Sequence, residues 1–178
     1  MSILTGAEIV RRRDLGELTI APFVPEHISS NSYDLTLGPT LLRYTGDVLD
    51  PYRQNPTEEL RIPPEGVVLS ADRVYLGASV ERIGSDQLTP IVKARSGTAR
   101  LGLYVHMTAD LIDIGSLGHT TFQLHAVQPV RVYAGMVLAQ VTFWEPVGQI
   151  VLYDGKYQNS CGPQASRSWC DAPVEVSA

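Results

Sequence analysis

The chain has 178 residues, with 14 Lys+Arg against 19 Asp+Glu and a net charge of −5. That length fits one domain, two at most, and buries roughly two-thirds of its surface on folding without disulfide or metal staples. The acidic balance argues against a general nucleic-acid binder, 44% hydrophobic residues argue against disorder, and apolar runs as short as Val67–Leu69 exclude a membrane-spanning helix.

In chain order, Thr5-Gly6-Ala7-Glu8 has the form of a capping box, in which Thr5 and Glu8 each satisfy the other's free backbone N–H. Ile9 and Val10 start an apolar face, Arg11–Arg13 form the exposed end of this helix, and Gly16 fits its stop. The rest reads as short strands. Leu18–Ile20 is closed off by Pro22 and Pro25, and Ser32–Leu37 alternates before turning at Gly38-Pro39. Residues 46–65, poor in β-branched side chains, read as a loop or arm. Further strands are expected at Val67–Leu69, Val74–Val80, Leu88–Lys93, Leu101–Met107, Thr120–Ala126, Val130–Tyr133 and Val137–Phe143. Their spacing of roughly ten residues points to a β-sandwich or barrel. From Tyr153 onward the apolar periodicity is lost, and a polar tail begins that is either frayed or ordered only where it covers something. No apolar stretch follows a basic start, so no signal peptide is expected. Cys161 and Cys170 read as free thiols of a cytoplasmic protein and are too few for a zinc site.

Three segments carry chemical potential. Lys93-Ala94-Arg95-Ser96-Gly97-Thr98-Ala99-Arg100-Leu101-Gly102-Leu103 follows a strand and sets two arginines and a small hydroxyl around a glycine. Ser96–Ala99 can start a short helix whose free N–H groups suit phosphate oxygens, with Arg95 and Arg100 as bidentate partners; a surface turn with solvated arginines is the plainer alternative. It is not a Walker loop, which ends in Gly-Lys-Ser/Thr. Next, Val105-His106-Met107-Thr108-Ala109-Asp110-Leu111-Ile112-Asp113-Ile114-Gly115 puts two acids three residues apart on a loop between strands, either of which can orient a sugar hydroxyl or a water or simply be solvated. On the strand that follows, Phe122 and Leu124 face one side and Thr121, Gln123 and His125 the other. Finally, Tyr153-Asp154-Gly155-Lys156-Tyr157-Gln158-Asn159 is a cationic tail able to close over a phosphate-bearing pocket and exclude water.

Taken together, these segments resemble the dCTP deaminase branch of the dUTPase-like superfamily. The likeness runs nearly end to end: Ile3-Leu4-Thr5-Gly6, Ser32-Tyr33-Asp34-Leu35-Thr36-Leu37-Gly38, Arg95 through Leu103, Ala109 through Gly118, and Gly155-Lys156-Tyr157. Gly97 stands where the family's Arg-Ser-Ser-x-x-Arg-x-Gly pattern has its second serine. The resemblance implies a mostly β, distorted jelly-roll or barrel with a short N-terminal helix. It implies a single domain over 1–178 with residues 153–178 as a flexible tail over the nucleotide site. It implies a homotrimer with sites between subunits, no nucleic acid or membrane as partner, and a deoxynucleoside triphosphate (dCTP, dUTP or dTTP) carrying Mg²⁺ on its phosphates. Arg95, Ser96 and Arg100 match the phosphate motif, Asp113 the acid associated with the deoxyribose, and Lys156 and Tyr157 the closing tail. Phe122, Gln123, Tyr153 and Ser160 complete the implied substrate contacts. The implied catalytic set is Ser96, Arg100, Ala109 and the position of Gln123.

By this resemblance the reaction is deamination of dCTP to dUTP and ammonia, without the zinc of His/Cys deaminases. A carboxylate takes a proton from the attacking water and passes it on. The family's glutamate for this role falls at Gln123. An amide has no proton-accepting role at neutral pH, and losing a general base costs on the order of 10²–10⁴ in rate. Two readings of the amide stay open: a Glu→Gln change made to hold substrate unreacted, or a natural binder or enzyme of different chemistry. Asp110, Ile114, Ser116 and Ser160 also depart from the family pattern. The alternatives are a bifunctional enzyme that also releases pyrophosphate, a pyrophosphohydrolase using Asp110 or Asp113, and a non-catalytic nucleotide-binding regulator.

Overall fold

In the computed structural model, which describes residues 2–106 and 108–172, helix α1 spans Gly6–Asp14. Thr5 caps it, its Oγ1 accepting from the Glu8 N–H at 3.4 Å. Glu8 does not return the bond. Its carboxylate is drawn to the guanidinium groups of Arg11 and Arg12, which hold it down to about 2. Arg12 is half-buried, contrary to an exposed Arg11–Arg13 end, because it also bonds Glu17 and Glu145 and ties the helix to the barrel. Ile9 is fully buried, and Gly16, at φ +75°, ends the helix as expected.

The strands are β1 (Thr19–Ala21), β2 (Tyr33–Tyr44), β3 (Thr57–Arg61), β4 (Val67–Leu69), β5 (Tyr75–Gly84), β6 (Thr89–Ala94), β7 (Leu103–Tyr104), β8 (Leu117–Ala126), β9 (Val130–Val132) and β10 (Val137–Trp144). The main sheet runs β6-β10-β2-β5-β8-β7, with β1 added to β5 and β3 to β2, while β4 and β9 form a separate ribbon. All the pairings are antiparallel. Beyond β6, Val92 N–H donates to Asp110 O and Ile112 N–H to Pro90 O, both at 2.9 Å. The loop after β7 thereby extends the ladder and nearly closes the sheet into a barrel. The mostly β fold with one short N-terminal helix is the class expected.

Three expected boundaries move. Gly38-Pro39 does not turn the chain; it lies inside β2 as a bulge, where the register against β5 shifts between Leu37 and Leu41. A Cβ at Gly38 would stand 3.1 Å from Ala78 O, so the two backbones approach closely there. Within 46–65, Thr57–Arg61 is a strand despite its charge, because pairing with β2 and the Arg43–Glu58 ion pair outweigh weak propensity. Leu101–Met107 shortens to Leu103–Tyr104, because helix α2 (Ser96–Arg100) runs into it and turns at Gly102, φ +72°. Met107 lies outside the described residues.

The core gathers Tyr33, Leu35, Leu37, Val92, Phe122, Leu124 and Phe143 between the sheet's two sides. β8 alternates strictly, with Phe122 and Leu124 fully buried and Thr121, Gln123 and His125 on the opposite face. Among the described residues no helix is long and apolar enough to cross a membrane.

Candidate functional site

The face of β8 that turns away from the core floors a cleft of about 860 Å³. Residues of loop 109–113, of the Tyr44–Leu49 segment and of the Asp72–Val74 turn line its walls. The tail forms the roof, held by paired main-chain bonds. Tyr153 N–H donates to Ile114 O at 2.8 Å, Asn159 N–H to Leu117 O at 2.8 Å, and His119 N–H to Ser160 O at 3.0 Å. Ser160 Oγ donates to His119 O at 2.7 Å, Gly162 N–H to His119 Nδ1 at 3.0 Å and Gln164 N–H to Thr121 Oγ1 at 3.0 Å. Ser166 N–H then reaches Tyr44 Oη at 2.8 Å across the cleft. Gly118 permits this approach: a Cβ there would lie 2.6 Å from Ser160 Oγ and 2.8 Å from its nitrogen. Residues 173–178 of the expected tail lie outside the described residues.

Gln123 sits on the floor with its amide fixed. Its Nε2 donates to Thr121 O at 2.8 Å, and its Oε1 is buried without a partner. His106, in the left-handed conformation at φ 57°, lines the same cleft and is buried to 8% exposure. Burial pulls its imidazole below the ordinary range, against the carbonyls of Thr121 and Ala109, which favour the protonated ring. Its Nδ1 also lacks a partner. Two polar atoms left bare in one cleft are costly unless a ligand or water satisfies them.

Of the expected site residues, Ala109, Asp113, Gln123, Tyr153, Tyr157 and Ser160 converge on this cleft. Phe122 does not: as the inward member of the β8 alternation it is wholly in the core. Lys156 is absent from the lining and pairs with Asp171 farther along the tail. Asp110 is also absent. The Lys93 ammonium beside it holds its carboxyl below the usual range, so it does not fit the role of a proton-accepting acid.

Arg95, Ser96 and Arg100 lie apart from the cleft of their own chain. Arg95 caps α2 in an extended conformation after β6, its N–H bonded to Leu138 O at 3.0 Å. Its Nε stands 3.3 Å from Asp34 Oδ1 on β2; burial pushes the Asp34 carboxyl up and Arg95 opposes this. Arg100 is exposed at the end of the helix. His106 stands inside the Val105–Gly115 stretch with no role evident from the residues, and neither Thr121 as the anchor of Gln123 and of the tail nor His119 as the tail's acceptor is signalled there. A lone signal pointed to the first: a histidine inside the apolar run Leu103–Met107.

A nearly closed antiparallel barrel with a tail-roofed cleft and an arginine-flanked turn after β6 is a dUTPase-like fold. The family model for dCTP deaminase-like proteins matches residues 3–146, and the chain belongs to that family. A protein of Clostridium botulinum (strain Alaska E43 / Type E3), named dCTP deaminase, dUMP-forming, is 42% identical over 171 residues, covering 95% of this chain and 98% of the relative. A protein of the same name from Leptospira biflexa serovar Patoc is 38% identical over 171 residues, covering 95% and 97%. Among solved structures, the 2'-deoxycytidine 5'-triphosphate deaminase of Agrobacterium tumefaciens superposes with a TM-score of 0.63 at 21% identity. That match spans 79% of this chain but only 47% of the longer one, and it establishes likeness of fold.

Proposed function

We propose that this chain binds Mg²⁺–dCTP and deaminates it to dUTP and ammonia, a source of dUTP for dUMP and dTTP synthesis, at a rate held down by Gln123. The observation that carries the reading is the division of the motifs. The cleft holds Gln123, Asp113 and the tail tyrosines, while Arg95, Ser96 and Arg100 face elsewhere on the same chain. A second copy, in a trimer, would bring its arginine-flanked turn to the open side of the cleft and complete a nucleotide site. In that site the guanidinium groups of Arg95 and Arg100 grip the phosphates through charge-assisted bonds, Ser96 adds a hydroxyl, and Asp113 holds the deoxyribose. Tyr153, Tyr157 and Ser160 close the roof, and the base lies against Gln123 and the backbone of Ala109. The cation belongs to the substrate, carried on its phosphates.

The attacking water is activated by a proton acceptor of the protein. With Gln123 in the general-base position, the expected deficit is on the order of 10²–10⁴. The test is release of ammonia from Mg²⁺–dCTP by the chain and by Gln123→Glu, with dUTP, dUMP and pyrophosphate measured together because the relatives are named for forming dUMP. Faster ammonia release from Gln123→Glu supports the reading. Pyrophosphate without ammonia from both proteins points to hydrolysis of the triphosphate alone, and tight binding with no turnover in either points to a regulator.

A further inference from the structure

We infer that His106 is the proton acceptor at the reacting end of this cleft and carries the residual deamination that Gln123 cannot. The inference rests on the dCTP reading above and goes beyond it by assigning the base. Its ground is elimination among the cleft's own groups. Asp72 is committed to Arg73 and Ser70 on the turn before β5. Tyr153 Oη accepts from Tyr157 N–H at 3.1 Å and Tyr157 Oη from Arg167 N–H at 2.7 Å. The Nδ1 of His119 is taken by Gly162. Asp113 sits exposed on the rim and Asp47 on the exposed arm. Among the described residues that line the cleft, His106 alone combines burial with an unpartnered ring nitrogen.

Position agrees. The antiparallel β7–β8 register, Leu103 opposite Ala126 and Tyr104 opposite His125, carries the chain after β7 alongside Gln123, and the side chains of His106 and Gln123 both line the same cleft. The two side chains therefore flank one spot on β8. Gln123 Oε1 can accept one hydrogen of a water while His106 takes the other. Burial keeps the ring neutral at pH 7, so it has one nitrogen free to accept. The charged and titratable groups that share its cleft are Asp113 on the loop, His119 on β8, Asp72 and Arg73 on the turn, Asp47 on the arm, and Tyr153 and Tyr157 in the tail, with Asp110 beside the cleft on the same loop. Of these, Asp110 acts on it directly, favouring the charged ring, and is outweighed by burial.

The step balances. The water oxygen bonds to C4 of cytosine as its proton passes to Nδ1, the C4=N3 pair moves to N3, and Nδ1 delivers that proton to N3. The hydroxyl proton on C4 then passes to Nδ1 and on to the exocyclic nitrogen. C4=O forms, the C4–N bond breaks, and ammonia leaves with the ring restored.

The test is the rate of ammonia release from Mg²⁺–dCTP between pH 5 and 8.5, with dCTP binding measured by calorimetry, for the chain, His106→Asn and His106→Gln. Asparagine tolerates the left-handed backbone that His106 adopts. The native chain should show a slow rate that falls about tenfold per pH unit on the acid side and levels off above it. His106→Asn should lose about 10²-fold or more, with dCTP affinity kept within about threefold. In a Gln123→Glu background the same substitution should cost less than about tenfold, because the carboxylate takes over the proton. Equal rates for the native chain and both variants, a pH-independent native rate, no native rate beside an active Gln123→Glu protein, or loss of dCTP binding in both variants would overturn the role of His106. If Gln123→Glu itself releases no ammonia, it is the dCTP reading that fails.

Discussion

Gly162 N–H donates to Nδ1 of His119 at 3.0 Å, so the roof of the cleft is fastened to its floor through an imidazole that must be neutral at that nitrogen. Burial, and then the charge of Arg82, pull His119 below its ordinary value of 6.5, with Glu81 opposing. The tail and the ring thus stabilise each other in the deprotonated state.

The fastening is therefore complete above about pH 6.5 and is lost as pH falls through the lowered value of His119. Hydrogen exchange, corrected for intrinsic rates, should show the Gly162 and Gln164 amides well protected at pH 7.5 and less so at pH 5, while β8 amides facing β5 hold. His119→Phe should show the low protection at both pH values. Protection that is the same at pH 5 and pH 7.5 in the unmodified chain contradicts the latch.

Gly118→Ala places a methyl within 2.6–3.0 Å of Ser160, including its backbone nitrogen and oxygen. The tail has to lift, while the β5–β8 pairing beneath is untouched. Affinity for Mg²⁺–dCTP should fall about tenfold or more, with only a small shift in the melting temperature, since the roof contributes closure more than core burial. An unchanged affinity would mean that the roof does not act on the ligand.

Phe122→Ala should destabilise the fold by about 3–5 kcal/mol in urea unfolding, as a fully buried aromatic does. Gln123→Ala, one residue away on the cleft face, should cost less than about 1.5 kcal/mol, the scale of a single hydrogen bond. The reverse order would mean that β8 is read with the wrong face inward.

That contrast marks what a sequence can and cannot say here. The period-2 pattern of Thr120–Ala126 is legible because one face is buried and the other is not, so placing Gln123 opposite Phe122 follows from the residues alone. Counting Phe122 among the substrate contacts ignores that same alternation. The charged Thr57–Arg61 strand escapes notice because its partner, the far half of β2, supplies the order that its composition lacks. Gly38-Pro39 looks like a turn, yet a bulge uses the same residues, and only the change of pairing around Leu37–Leu41 tells them apart. His106 is hidden for a similar reason: its burial and bare Nδ1 depend on loop 109–113 folding back along β6.

In a Gln123→Glu background, Arg100→Ala and Asp113→Asn should each lose about 10²-fold in dCTP turnover, the scale of a lost charge-assisted contact. If the site is shared between copies, co-expressing the two variants restores intact pairs, because one chain keeps the cleft and the other the arginine turn. Recovery of about a quarter of the parent activity is expected from random pairing. No recovery would place both halves of the site on one chain.

The most direct measurement is a crystal structure of the unmodified chain with Mg²⁺–dCTP, in which Gln123 slows turnover. It should show the cytosine ring in the cleft with C4 beside Gln123 and His106, the deoxyribose at Asp113, and the triphosphate on Arg95, Ser96 and Arg100 of a neighbouring copy. A nucleotide bound elsewhere, or an empty cleft at saturating dCTP, would contradict the account.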